Sequence, residues 1–458
     1  MVYDDGAASP GELGVGLAGT ADAVFLVTDS PHVAAMRPVL RQLGAVHGLT
    51  GDAARDADLV RRLAPDAITT FSELMIRTTA ALAEAAELPY HRPATALLLT
   101  DKTLQRAALR RAGVDDVRHA SLASPADWPA ALAAVGLPAV VKPVRGAGSR
   151  HTHPVYEEER AARLVAEVFA GLPDAPPGEP RLVVEELLAG RPSGPLGDYV
   201  SVESLCGADG VAHLAVSGKL PLVRPCREPG RYWPHHLAPA EERAVLDLVT
   251  RALGALGVRH GLTHTEVKLT PAGPRIIEVN GRLGGHVNGL ARTACGVDLV
   301  RAAALHALGR HPGVGWLRPG RVHFQHNGLA PTEPCRLLGV HGAARVRARD
   351  GISGYRVFAR VGQRLPGGVM TRELDVVWGG RRRPRRDGAA HPRRPRGAEL
   401  RVRLRRRPAD RGGRGLRRVA GRGGAAAVRR NAGTPGRSGR SGRSGWRDAE
   451  MTDDRVTG

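Results

Sequence analysis

Glu266-Val-Lys-Leu-Thr-Pro-Ala-Gly-Pro-Arg-Ile-Ile-Glu-Val-Asn-Gly-Arg282 is the stretch whose reading decides the fold. Two alternating segments flank a Pro-Ala-Gly-Pro turn, the pattern of a β-hairpin. Side chains alternate faces along a strand, so Glu266 and Lys268 share one face of the first arm. Glu278 and Asn280 share one face of the second. A hairpin centred on Ala272 sets Glu266 opposite Glu278. Two carboxylates and an amide oxygen then converge as a hard-oxygen site, suited to Mg²⁺ carrying a polyphosphate. Left unpaired, the two glutamates would repel each other, so a cation is the economical explanation. An exposed hairpin with solvated charges is the plain alternative.

Upstream, Ala23-Val-Phe-Leu-Val-Thr28 and Asp66-Ala-Ile-Thr-Thr-Phe71 read as strands, with helices at Ser30–Leu43 and Leu74–Glu87. Such alternation predicts a parallel, Rossmann-like sheet. Gly11, Gly14 and Gly16 precede the first clear strand, which argues against dinucleotide binding. From Thr100 to Gly113 the chain reads as a capped amphipathic helix. Leu137-Pro-Ala-Val-Val-Lys-Pro143 is a strand, followed by the polar loop Val144-Arg-Gly-Ala-Gly-Ser-Arg150. A helix at 157–170, a Pro/Gly-rich turn at 173–180 and the strands Arg181–Leu188 and Tyr199–Ser204 come next. Residues 241–256 line one helix face with Val245, Leu248, Val249, Ala252, Leu253 and Leu256.

The chain has 458 residues, enough for about three folded units, and a net charge of +22. That charge is local. Residues 381–458 hold 25 Arg against 7 acidic residues, and the remainder is nearly neutral. This tail repeats Gly-Arg-Ser at 436–444 and lacks apolar periodicity, so it reads as disordered or as the product of a frameshift. It also resembles Arg/Gly-rich RNA-binding segments. No apolar run reaches the roughly 18 residues of a membrane span, and the acidic N-terminus leads into no signal-peptide core. Four scattered cysteines form no C-x-x-C pair, which fits free thiols in a reducing cytoplasm.

Against 63 Arg there are only four Lys: Lys102, Lys142, Lys219 and Lys268. A chain that supplies its surface charge with Arg invites a specific reason for each Lys, whose compact ammonium reaches a phosphate where a guanidinium fork does not fit. A Gly-Ala-Gly-Ser loop, meanwhile, exposes backbone N–H groups that can cradle phosphate oxygens. The scattered histidines His151, His153, His235 and His236 have no ligand spacing and predict no metal cluster. Glu203 reads as a polar face residue of its strand, and Cys295 as a helix core residue.

At these positions the chain resembles the ATP-grasp superfamily of carboxylate–amine ligases, over about residues 20–310. It is most similar to the branch of L-amino-acid ligases, dipeptide synthetases and carnosine-synthase-like enzymes. The resemblance implies an α/β, ATP-grasp fold. It would comprise a Rossmann-like N-terminal domain (1–98), an ATP-grasp domain with a central antiparallel sheet (99–310, lid about 115–185), a small C-terminal β-rich unit (311–380) and the tail (381–458). It places Lys102 and Lys142 on the nucleotide, with Gly146, Gly148 and Ser149 in the lid loop. Glu185, Glu186 and Leu188 fall in the adenine hinge, and Asp198 near the ribose, where the insertion 191–197 blurs the match. Lys219, Glu228, Gly284, Gly285 and His286 would face the substrates, the Gly284-Gly285 amides acting as an oxyanion hole. Glu266, Glu278 and Asn280 would hold Mg²⁺, or Mn²⁺ in its place. Arg282 and Lys142 take the catalytic positions, Arg282 gripping the transferring phosphoryl group.

The implied activity is ATP-dependent joining of a carboxylate, an amino acid in that branch, to an amine through an acyl phosphate, releasing ADP and phosphate. Its partners are ATP and small-molecule substrates, with no membrane and with self-association into a homodimer allowed. An ATP-grasp enzyme of purine synthesis or biotin-dependent carboxylation is the alternative, though no biotin-carrier segment is present. A nucleic-acid binder acting through the tail is the other. Gly281 stands where the family often has Pro.

Overall fold

The computed structural model describes residues 1–172, 178–381 and 401–406, the last as backbone only. At the N-terminus come β1 (Val2–Tyr3), α1 (Pro10–Leu17), β2 (Ala23–Val27), α2 (Pro31–Leu43), β3 (Gly44–Gly48), α3 (Ala53–Leu63) and α4 (Ile76–Ala85). The strands form a parallel sheet in the order β1-β2-β3. Phe25 and Val27 are fully buried, as expected for a strand covered on both faces. Ser30 Oγ caps α2 by accepting from Val33 N–H at 3.1 Å.

Two sequence expectations fail here. Asp66–Phe71 is not a strand; it runs beside β1 with two backbone bonds, Val2 N to Thr69 O and Ala7 N to Phe71 O. The sheet partner is instead the short, glycine-bounded β3. A strand, β1, also precedes the glycine-rich stretch. Those glycines lie inside α1, and two of them serve packing: a Cβ on Gly14 would meet Leu43 Cδ2 at 2.9 Å and one on Gly16 would meet Val300 Cγ1 at 2.6 Å.

Two helices, α5 (Pro93–Thr100) and α6 (Lys102–Arg111), lead onward. Asp101 caps α6, accepting from Thr103 and Leu104 N–H, and Gly113 beyond its end has φ +63°. The next layer holds β4 (His119–Leu122), α7 (Trp128–Val135), β5 (Ala139–Pro143), β6 (His153–Val155), α8 (Glu158–Gly171) and β7 (Leu182–Glu186). Its antiparallel sheet runs β4-β7-β5-β6 over its own core, which includes Leu122, Trp128, Val141, Val165 and Leu182. Of the turn expected at 173–180, residues 173–177 lie outside the described residues.

The central sheet is built from β8 (Tyr199–Gly207), β9 (Gly210–Lys219), β10 (Gly230–Trp233), β11 (Gly261–Thr270), β12 (Gly273–Asn280) and β13 (Val322–Leu329), with helices α9 (Pro239–Ala255), α10 (Val287–Cys295) and α11 (Leu299–Ala307). Alternation sorts its two faces. Val200, Val202, Val216, Val267, Leu269 and Val279 pack with Val245, Leu248, Val249 and Leu253 of α9. Their neighbours Tyr199, Ser201, Glu203, His264, Glu266, Lys268, Glu278 and Asn280 therefore lie on the other face. One face is core, the other is chemistry.

The C-terminal stretch supplies β14 (Cys335–His341), α12 (Ala343–Arg347), β15 (Ile352–Val357), β16 (Arg364–Leu365), β17 (Glu373–Arg381) and β18 (Arg401–Arg406). β13, β17 and β15 continue the central sheet, whose order is β12-β11-β8-β9-β10-β13-β17-β15. A second sheet runs β16-β14-β18. The expectation of no regular structure beyond Gly380 fails at Arg381 and at 401–406, which pairs with β14 from His341↔Arg401 to Cys335↔Arg406. Val402 and Leu404 alternate with arginines there, a strand pattern that the arginine count hid. The rest of the tail, 382–400 and 407–458, lies outside the described residues. Cys206, Cys226 and Cys295 are free thiols. Among the described residues no helix is long and apolar enough to cross a membrane.

Candidate active site

Each of the four lysines meets its own carboxylate. Lys102 Nζ lies 2.8 Å from Glu278 Oε1 and donates to Gly146 O at 3.1 Å. Lys142 Nζ is 2.8 Å from Glu185, Lys268 is 2.7 Å from Asp198, and Lys219 donates to both oxygens of Glu228 at 3.0 Å. Lys219 is fully buried. Burial alone would lower the Lys102 pKa, but the charge and hydrogen bond of Glu278 outweigh it and raise the value.

The hairpin places its acids as the alternation requires. Glu266 pairs with Glu278 and His264 with Asn280 across β11 and β12, with a bulge after Glu266. Directly opposed side chains on one face have Cβ atoms about 5 Å apart. His264 Nε2 is 3.5 Å from Glu266, and His264 Nδ1 donates to Glu203 Oε1 at 2.5 Å. Burial pushes the Glu266 carboxyl up, yet His264, Lys219 and Arg282 bring it down to about 2. Asn280 Oδ1 accepts from Arg282 Nη2 at 3.2 Å. No group of three His, Cys, Asp or Glu side chains forms a closed metal site among the described residues. Two opposed carboxylates with an amide oxygen do fit a hard cation that draws its other ligands from phosphate and water.

Glu185 is buried and its carboxylate points inward. It takes a two-pronged contact from Arg106 at 3.0 and 2.9 Å, besides Lys142. Burial would raise its pKa, but Arg106 and Lys142 hold it far below the usual carboxylate range. Any contact from residue 185 to a ligand in this conformation therefore falls to its backbone. Glu186 pairs with Arg118 at 2.9 Å, and Leu188 is half-buried in the loop after β7. In the loop after β5, Gly146, Gly148 and Ser149 have positive φ. That loop is hooked to the segment before β17: Thr371 N–H donates to Gly148 O at 2.7 Å and His151 N–H to Val369 O at 2.8 Å.

Glu228 sits between Lys219 and Arg231, the latter at 2.6 Å. Burial raises its pKa, and the two cations more than reverse that. It does not stand on a solvated loop. The Gly284 N–H donates to Glu203 Oε2 at 3.2 Å, so it is not free to serve an oxyanion in this conformation. A Cβ on Gly284 would lie 2.3 Å from His264 Nδ1, which is why glycine stands there. Arg231 donates to Gly285 O. His286, with φ +60°, contacts both carboxylate oxygens of Glu373 at 2.9 and 2.7 Å.

Sequence reasoning missed several members of this assembly. Glu73 comes from a 3₁₀ turn at Glu73–Met75, and its carboxylate lies 3.0 Å from Arg282 Nε. Its pKa is raised because burial outweighs Arg282. No spacing marks it. Glu203 is fully buried and ties His264 to Gly284, although the alternation of Tyr199, Ser201 and Glu203 had put it on the right face. Arg106 carried a usable signal, one turn after Lys102 on the same helix. Of the histidines singled out in the sequence, His236 Nδ1 bonds Tyr232 Oη at 2.6 Å and His235 lies 3.7 Å from Glu242.

No family model matches the chain. It is 29% identical over 216 residues to the alanine–anticapsin ligase of Bacillus subtilis, covering 45% of this chain and 46% of that protein. The chain thus spans about half the length of that relative. Among solved structures it resembles the L-amino acid ligase from Bacillus licheniformis, with TM-score 0.63 and 22% identity over 81% of this chain and 90% of that one. It also resembles the biotin carboxylase domain of a Hydrogenobacter thermophilus 2-oxoglutarate carboxylase, solved with MgADP and bicarbonate. There the TM-score is 0.60 and the identity 17%, over 83% of this chain and 85% of that one. A separate four-stranded antiparallel sheet, a central antiparallel sheet with one polar face, and overlays of this extent lead to one conclusion: the chain has the ATP-grasp fold.

Proposed function

We propose that this protein is an ATP-dependent carbon–nitrogen ligase that joins an amino acid carboxylate to an amine through an acyl phosphate. One observation carries the reading. A single face of the central sheet gathers Lys102, the opposed pair Glu266 and Glu278, Asn280 and Arg282, directly beneath the glycine-containing lid loop. The fold by itself does not choose between ligation and carboxylation. The sequence likeness to an amino-acid-joining enzyme favours ligation.

In this proposal Lys102 and Lys142 exchange their carboxylate partners for ATP phosphates, and the lid-loop amides close over them. Glu266, Glu278 and Asn280 would hold Mg²⁺, or Mn²⁺ with its similar oxygen preference. When bound, that ion neutralises phosphate charge. Arg282 grips the transferring phosphoryl group, and Glu73 beside it orients the guanidinium. No side chain acts as nucleophile. A substrate carboxylate oxygen attacks the γ-phosphorus as the bond to ADP breaks; the amine nitrogen then attacks the acyl carbon and phosphate leaves. Positioning and charge stabilisation account for such chemistry. The free thiols of Cys206, Cys226 and Cys295 suit a reducing, cytoplasmic setting. The test is a phosphate-release screen over amino acid pairs with product masses: ADP, phosphate and a condensed product are expected from at least one pair. ATP left intact with every pair would refute the proposal.

A further inference from the structure

The polar face of the central sheet does not end at Arg231. Gln325 of β13 is Arg231's cross-strand partner, and Asn327 follows two residues on, facing the same side. They are only 8% and 3% exposed. Asn327 Nδ2 donates to Glu373 Oε1 at 2.8 Å. A carboxylate accepts rather than donates, so this bond fixes which way the amide points. Asn327 Oδ1 is left without a partner, and so is Gln325 Oε1. Glu373 also holds His286, whose ring lies 6.3 Å from that of Phe358. The His286 side chain is 34% exposed and Phe358 39%, which opens this end of the face to solvent.

The groups left without a donor are the two amide oxygens, and beside them the Glu373 carboxylate, which already takes Asn327 and His286, keeps lone pairs for a further donor. Buried acceptors without donors are uncommon in folded proteins, and each calls for a reason. We propose that Glu373, Asn327 and Gln325 form the side-chain site of the amine-donating substrate, and that this substrate is an amino acid with a cationic, N–H-bearing side chain. The inference rests on the ligase reading above. A site built around hydrogen-bond partners discriminates strongly against an analogue that lacks them, because its own polar groups are then left unpaired.

Calorimetric titration of the full chain with MgADP present tests it, using L-lysine and L-arginine against L-norleucine as the uncharged analogue. At least one basic amino acid should bind about tenfold or more tighter than L-norleucine. That gap should close in Asn327→Leu and in Glu373→Gln, each checked for an intact thermal transition, with Gln325→Leu as the substitute if either fails to fold. Equal or undetectable binding of all three by the parent, or a preference that survives in the variants, overturns the site. If the preference holds but no amino acid pair yields ADP and phosphate, the ligase reading fails and the binding site stands. Ligation without the preference overturns the site and leaves the ligase reading standing.

Discussion

Glu266 and Glu278 stand directly opposite each other across β11 and β12, and the ammonium of Lys102 neutralises one of them from 2.8 Å. Like charges so placed repel, so each needs a counter-charge at all times. Glu278→Gln removes half of the pair while keeping its shape. Phosphate release should fall by about two orders of magnitude or more, with a higher Mg²⁺ requirement and a retained thermal transition. Near-normal turnover by the folded variant would remove the metal site.

Lys102 and Lys142 come from different elements, Lys102 from the start of α6 and Lys142 from β5. Replacing either with Ala should raise the ATP KM or lower kcat, with kcat/KM for ATP down about tenfold or more. Steady-state kinetics with ATP varied at saturating amino acids reads this. Unchanged ATP parameters in both folded variants would place the nucleotide elsewhere.

Glu228 is enclosed by Lys219 and Arg231, so its removal leaves two buried cations without their partner. Glu228→Ala should therefore cost about 3–5 kcal/mol of stability, visible as a lower urea midpoint. A loss within about 0.5 kcal/mol, the usual range for a surface site, would show that the pair is not closed in solution.

Glu73 carries a pH signature. Burial raises its pKa above the ordinary glutamate value of 4.5 in spite of Arg282, so the folded state favours the neutral acid. Folding takes up protons as pH falls through that raised value, and the cost of the buried charge is fully present at higher pH. Glu73→Gln mimics the neutral acid. It should be more stable than the parent at about pH 8, with the advantage shrinking as the pH falls towards the ordinary carboxylate range. Thermal unfolding across that range measures it; a gap that is constant or widens on acidification would contradict the assignment.

The hairpin was legible because its turn residues and alternation fix the register, and a register fixes which side chains oppose. The lysines were legible through scarcity, since 63 arginines left them no generic surface role. Glu73 and Glu373 were not. They reach Arg282 and His286 across 209 and 87 residues of sequence, and only packing brings such pairs together. The short strands β1 and β3 escaped for a related reason: two to five residues carry too little periodicity, so the longer apolar run at Asp66–Phe71 drew the assignment. At Gly284 the glycine was noticed but its purpose was not, because the close approach of His264 exists only in the folded chain.

The most direct test of the acyl-phosphate route follows an oxygen atom. In a ligation run with an amino acid carrying ¹⁸O in its carboxylate, attack on the γ-phosphorus commits one carboxylate oxygen to the phosphate that later leaves. The expected products are ADP together with inorganic phosphate bearing one ¹⁸O for each bond formed, read by mass spectrometry. Unlabelled phosphate beside a condensed product, or AMP and pyrophosphate in place of ADP and phosphate, would contradict that route.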